Sequence, residues 1–207
     1  MHEPPDVPSP IDLRRVPDAQ DWTQTAMSKR PWRIEFFELI TRRLTTLAQG
    51  QARVLELGSG PGFLARYVLE QVPTLPHYVL LDFSPGMHAL AAERLGALRS
   101  RASFLERDFK QPSWGADLGP FDAVVTLQAV HELRHKRHAT HFHAQVRNIL
   151  APQGVYLMCD HHTGPGGMTN QDLYMSLDEQ EASLREAGFT QLERLSERAG
   201  LALYQAR

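Results

Sequence analysis

The chain's apolar residues come in short runs that alternate with helical segments, and this alternation limits the folds open to it more than any other feature. "ARVLELGSG" is an apolar strand closing on glycines, followed by the helical "GFLARYVLEQV". "HYVLLDF" and then "SPGMHALAAERLGAL" repeat the unit, with Ser84 as N-cap and Pro85 at the first helical position. "ASFLERDF", "FDAVVTLQAV" and "GVYLMCD" supply three further strands. A His-rich segment reads as a helix running from "HELRH" to "RNILAPQG", and "SLDEQEASLREAGF" opens on a capping box, Ser176 with Glu179, and breaks at Gly188. "FTQLERLSE" and "GLALYQAR" close the chain as strands. Strands that are continuously apolar and separated by helices predict a parallel sheet covered on both faces. Right-handed crossovers then leave a three-layer αβα doubly wound sandwich, whose ligands bind beyond the carboxyl ends of the strands at the switch in strand order.

Composition narrows the function classes. With 207 residues the chain is read as one core, with 42% hydrophobic residues, 22% charged residues and a net charge of −2. This balance offers no basic excess for nucleic acid or an anionic membrane, so neither is expected as a partner. The single Cys159 excludes an internal disulfide, the Pro-rich start does not resemble a signal peptide, and the chain is expected to be cytoplasmic. Residues 1–20 hold five prolines and are read as an extended or mobile arm. Residues 21–50, including "RPWRIEFFELITRRLTTLAQG", are read as a helical lid ended by Gly50, and residues 51–207 as the Rossmann-like domain.

The ligand signals sit at consecutive strand ends. In "VLELGSGPGF", Glu56, Gly58, Gly60 and Gly62 occupy every second position where the first strand meets a helix, a turn at which the backbone approaches a ligand closely. Phe63 stands where a dinucleotide fingerprint needs Gly or Ala, which disfavours a nicotinamide oxidoreductase. Asp82 ends the second strand, placed to accept from ribose hydroxyls, and Asp108 ends the third, followed by Phe109.

E-x-G-x-G-x-G at Glu56–Gly62, D-x-S-x-x-M at Asp82–Met87, "RDF" at Arg107–Phe109, "FDAVVTLQAVHEL" and "LAPQGVYLMCD" together resemble the Rossmann-like (class I) S-adenosylmethionine-dependent methyltransferase family over about residues 30–207. The resemblance implies a mostly parallel seven-stranded sheet with the last strand antiparallel, and S-adenosylmethionine as cofactor. It implies that the turn Gly58, Ser59, Gly60 and Gly62 holds the methionine portion and that Glu56 supports the loop or the amino group. It places Asp82 on the ribose, Phe83 and Met87 along the adenine, Asp108 on the adenine amino group with Phe109 beside it, and Gln128 near the transferable methyl.

His131–His135 also spells H-E-x-x-H, with His141 at the spacing of a third zinc ligand and His138 in place of the expected Gly. A zinc protease needs both histidines on one helical face, whereas His131 falls at a strand-to-helix junction, so that reading is set aside. His135, His138, His141 and His143 are read as polar positions on a partly solvated helix. His131 faces the substrate side, where an imidazole suits removal of a proton from a hydroxyl or ammonium acceptor. Asp160 and His161, at the end of the fifth strand, approach it as a proton relay or, alternatively, as ligands of an assisting divalent metal. No metal is assigned. Gly164, Gly166 and Gly167 suggest a closing loop, while Trp22, Arg30, Trp32, Arg33, Met168 and Tyr174 are further candidates for the pocket. The expected function is methyl transfer to a heteroatom of a small-molecule acceptor, against a non-catalytic cofactor-binding partner protein. Oligomeric state stays open, a homo-oligomer included.

Overall fold

The computed structural model describes residues 5–47 and 51–207. Gly50 and the first four residues of the arm lie outside them. Thirteen helices and strands follow in the order α1 (Val16–Lys29), α2 (Arg33–Leu47), β1 (Arg53–Leu57), α3 (Phe63–Gln71), β2 (His77–Asp82), α4 (Pro85–Leu95), β3 (Ala102–Glu106), β4 (Phe121–Leu127), α5 (Ala139–Asn148), β5 (Leu150–His161), α6 (Leu177–Glu186), β6 (Leu192–Arg198) and β7 (Leu201–Ala206). The strands form one seven-stranded sheet in the order β3-β2-β1-β4-β5-β7-β6. All neighbours from β3 to β5 pair parallel, and β7 lies antiparallel between β5 and β6. Strand order reverses between β1 and β4, which opens a crevice at their carboxyl ends.

Each face of the sheet is sealed by its own apolar cluster. On one face Phe36, Phe37, Ile40 and Leu44 of α2 join Leu64, Val68 and Leu69 of α3 and Ala91 and Leu95 of α4 against Val54, Tyr78, Leu80 and Val125. On the other, Phe142 and Val146 of α5 and Leu184 of α6 pack with Trp114 against Leu55, Leu81, Val124, Tyr156 and Tyr204. Side chains of this size contribute about 1.5–3 kcal/mol each when buried. Residues of α2 therefore form part of the sheet's cover as well as standing over the crevice. No helix of the described residues is long and apolar enough to cross a membrane.

Three sequence expectations are corrected. First, the arm does not extend to residue 20, because α1 begins at Val16 with Pro17 in its first turn and Asp18 behind it. A proline there starts a helix rather than interrupting one. The preceding residues are tied down: the Val7 N–H donates to the Arg134 carbonyl (2.8 Å), and the Arg134 guanidinium donates to the carbonyls of Val7 (2.9 Å) and Pro8 (2.7 Å). Second, the His-rich segment is not one helix. Val130–Leu133 and Lys136–His138 are separate 3-10 turns, divided by Arg134 at φ 68°, and the α-helix starts only at Ala139. Third, β5 begins at Leu150 rather than near Gly154, with a register shift opposite β4 that absorbs the turn residues.

Candidate active site

The glycine turn shows why its residues alternate as they do. Gly58, Gly60 and Gly62 all adopt positive φ (67°, 52° and 75°), a region in which a Cβ is strained. A Cβ on Gly58 would also stand 2.6 Å from that of Ala129, whereas the space around Gly60 is open for at least 4 Å. Gly62 takes a different part from the one the sequence implied. It is absent from the cleft lining; it precedes α3, and a Cβ there would stand 3.0 Å from that of Ala91, so its small size lets α3 approach α4.

The turn is held from β2. Gly58 and Ser59 donate their N–H groups to the Leu81 carbonyl (2.9 and 3.1 Å), and Gly60 donates to Asp82 Oδ2 (2.8 Å). Asp82 Oδ1 accepts from Ser84 N–H (2.9 Å), and Ser84 Oγ caps α4 by accepting from Met87 N–H (3.2 Å). Burial raises the Asp82 carboxyl above its ordinary range, against the pull of these N–H donors. Beneath the turn, Glu56 is buried and accepts from the Tyr78 hydroxyl (2.9 Å). Burial pushes its carboxyl up to about 8, with Tyr78 opposing and Asp82 adding to the rise.

Glu56, Gly58, Ser59, Gly60, Asp82, Phe83, Met87, Phe109 and Gln128 all border one cleft, together with His131 and His161. Asp108 does not. It lies two residues past the end of β3, pairs with Arg14 of the arm (3.6 Å), and borders an adjoining hollow beneath the arm. Sequence reasoning missed Leu13, Phe37, Phe63, Leu127 and Glu132 as cleft residues. Leu13 had no local signal, because the arm reaches the cleft only through tertiary contacts such as the bond from Ser84 Oγ to its carbonyl (2.6 Å).

The opposite wall comes from β4 and β5. The His131 N–H donates to Asp160 Oδ2 (2.7 Å) and its ring Nδ1 lies 2.6 Å from Asp160 Oδ1. Burial disfavours the imidazolium, but the Asp160 charge and hydrogen bond, joined by Glu132, outweigh it and raise His131 to about 10. Burial opposes ionisation of Asp160 as well, and His131 more than compensates, so this carboxyl is lowered. An ionised carboxylate only accepts, so Nδ1 carries the proton toward Asp160 and Nε2 is left for other partners, with Glu132 at 3.4 Å. Asp160 does not border the cleft and reaches it only through His131.

His161 takes the opposite state. Burial lowers it to about 4 despite the nearby Asp160, so the ring is neutral at pH 7. Arg33 Nε donates to Gln128 Oε1 (2.5 Å), which turns the Gln128 amide nitrogen toward His161 Nε2 (2.7 Å). His161 therefore holds its hydrogen on Nδ1, a buried atom, and a hydrogen bond with the Gly200 backbone works against the effect of burial on the ring. Tyr174 stacks beside both histidines, 5.3 Å from His131 and 5.7 Å from His161 between ring centroids. Of the other pocket candidates, Trp22, Arg30, Arg33 and Tyr174 border the cleft, and Trp32 and Met168 do not. The glycine-rich loop is braced by the Gly167 N–H to Gly164 carbonyl bond (3.0 Å) and the Met168 N–H to His162 carbonyl bond (2.8 Å).

The remaining histidines divide. His141 is exposed and His138 half-buried, as polar positions would be, but His135 is largely buried and His143 fully so. His143 packs between Phe142 and Tyr156, and burial lowers it to about 3. His131 and His135 share no helix, so H-E-x-x-H does not form a zincin face here.

The residues present fit S-adenosylmethionine. Gly60 leaves open space, Ser59 Oγ is a buried hydroxyl without a partner, and an acidic Asp82 stands at the end of β2 between them and the apolar Phe83 and Met87. Fold and cleft together define the Rossmann-like methyltransferase class. Residues 54–154 match a family model described as a methyltransferase domain, so this chain carries a domain of the S-adenosylmethionine-dependent methyltransferase kind. The non-reducing polyketide synthase SAT8 of Stachybotrys chartarum is 28% identical over 125 residues, 59% of this chain and 5% of that protein. The chain thus spans a small fraction of that relative's length. Among solved structures, DhpI in complex with SAH is similar at 20% identity with a TM-score of 0.70, covering 94% of this chain and 95% of that one. The CurJ carbon methyltransferase is similar at 20% identity and a TM-score of 0.63, covering 76% and 48%.

Proposed function

We propose that the protein transfers the methyl group of S-adenosylmethionine to a heteroatom of a small-molecule acceptor, with His131 as general base. The observation that carries this reading is the His131–Asp160 pair at 2.6 Å, with His131 in the wall of the cleft that holds the glycine turn. When bound, the cofactor supplies an electrophilic methyl on a sulfonium. Glu56, the turn at Gly58–Gly60 and Asp82 bind and orient it; Phe83, Met87 and Phe109 exclude water from one side. Asp160 positions the His131 ring and stabilises its charge, which makes it a positioning residue. In the free enzyme His131 holds a proton at neutral pH and must release it before Nε2 can take the acceptor's proton; the positive charge of a bound sulfonium would favour that release. Gln128 and His161 border the space beside it.

A carbon acceptor is the second reading. It is favoured by the likeness to a polyketide synthase and to a protein described as a carbon methyltransferase, and by a base raised well above ordinary imidazole. No further partner is proposed.

The test is SAH formation with a panel of phenols, amines and β-keto thioesters, for the wild type and His131→Ala. His131→Ala is expected to bind SAH normally and to lose about 10²–10⁴-fold in turnover. Full turnover in that variant removes His131 from the mechanism. Which class of acceptor reacts decides between heteroatom and carbon.

A further inference from the structure

The turn between α1 and α2 brings two arginines to the cleft. Arg30 and Arg33 both border it, and Arg33 holds Gln128, the partner of His161. Arg33 is buried, 4% exposed; its Nε is used by Gln128 and its Nη1 by the Ala26 carbonyl at 3.3 Å, and it lies 5.6 Å over the Trp22 ring. Among the described residues, neither arginine is paired with a carboxylate. The charges beside His131 do have opposite partners: Asp160 has His131, and Glu132 has Arg134 at 3.3 Å. A buried cation is costly unless it is paired. Burial first and the charge of Arg30 second lower the Arg33 pKa to about 10.

Resting on the methyltransferase reading, we propose that the acceptor is an acid, its anionic carboxylate seated between Arg30 and Arg33. Guanidinium groups recognise carboxylates through paired, charge-assisted hydrogen bonds. Such an anchor orients the nucleophilic atom of the acceptor relative to His131 Nε2 while the methyl donor lies across the cleft. It also leaves the neutral counterpart of the same acceptor poorly bound, because the two arginines would stay unpaired.

A carboxylate in this cleft has two sources, the acceptor and the aminoacyl end of the cofactor, and calorimetry separates them. The probes are SAH, 5′-methylthioadenosine (which lacks the aminoacyl end), benzoate and neutral benzamide, on the wild type, Arg30→Gln and Arg33→Lys. The expected result is that benzoate, but not benzamide, binds the SAH-saturated wild type. Arg30→Gln should weaken benzoate by at least about tenfold and leave SAH unchanged. Arg33→Lys keeps the charge but not the fork and should weaken benzoate less. If benzoate fails to bind, binds as benzamide does, or binds Arg30→Gln equally well, the proposal is overturned. If Arg30→Gln instead lowers SAH to the level of 5′-methylthioadenosine, the arginines hold the cofactor's own carboxylate and the proposal is again overturned. Failure of SAH to bind the wild type would sink the methyltransferase reading itself.

Discussion

Glu56 shows how one residue links cofactor binding to pH. The buried carboxyl sits under the glycine turn with Tyr78 as its hydrogen-bond partner and a pKa raised to about 8. Its native form keeps a proton over a range in which the unfolded chain, with a carboxyl near 4.5, has lost it. The stability contributed by this group is therefore complete below 4.5 and is lost as pH rises through about 8. A cationic amino group beside Glu56 would favour its ionised form, so SAH should bind with release of a proton and tighten as pH rises toward 8. Calorimetry in two buffers of different ionisation enthalpy measures that proton, and Glu56→Gln should abolish both the release and its pH dependence. An unchanged release in the variant would assign the proton elsewhere. The sequence allowed Glu56 to be placed because spacing alone put it two residues before the first glycine. It could not reveal Tyr78, which is 22 residues away and reaches Glu56 only once β1 and β2 pair. The same limit applied to Gln128, whose amide is oriented by Arg33 across 95 residues.

Among the elements, those with a strong local signal were legible. Ser84 and Pro85 at the start of α4, and the Ser176–Glu179 box at the start of α6, form as their spacing predicts. Elements governed by distant contacts were not. Arg134 at positive φ breaks the expected His-rich helix, and its side chain then fastens residues 7 and 8 of the arm. The arm in turn lays Leu13 along the cleft and Arg14 over the Phe83 ring at 4.6 Å. The strap so formed runs across the side where the resemblance places ribose and adenine. Arg134→Gly suits the positive φ of the backbone and removes the side-chain fastening together with the Glu132 ion pair. SAH should then dissociate faster, and a protease should cut the N-terminal segment sooner, while the far-ultraviolet circular dichroism stays the same. An unaltered dissociation rate would show that the strap does not gate the cofactor.

For the whole molecule, the doubly wound sheet was foreseeable because alternation of strands and helices is a property of the entire chain, and β7 was foreseeable only through family resemblance. Its insertion between β5 and β6 depends on pairings that no local pattern encodes. The buried charge balance of the molecule was likewise hidden. Histidines read as solvated include His143, which is sealed under α5 with both ring nitrogens unpartnered and a pKa near 3. His161, lowered to about 4, behaves in the same sense. For a lowered histidine, the unfolded chain gains a proton near 6.5 that the native state refuses, so stability is complete above 6.5 and falls as pH drops toward the native value. Each such ring costs about 1.4 kcal/mol per pH unit in that window. His131, raised to about 10, works the other way: its contribution is complete below 6.5 and is lost through about 10. Between pH 7 and 5 the two lowered rings therefore dominate among the histidines, while Glu56, protonated in the native state up to about 8, adds stability over the same interval and offsets part of their loss. His143→Phe replaces the ring by one that cannot charge, between Phe142 and Tyr156. Denaturant unfolding at pH 7 and pH 5 should show the stability at pH 5, relative to pH 7, higher by about 2 kcal/mol in the variant than in the wild type. The same pH response in both proteins would mean that His143 takes up its proton without unfolding.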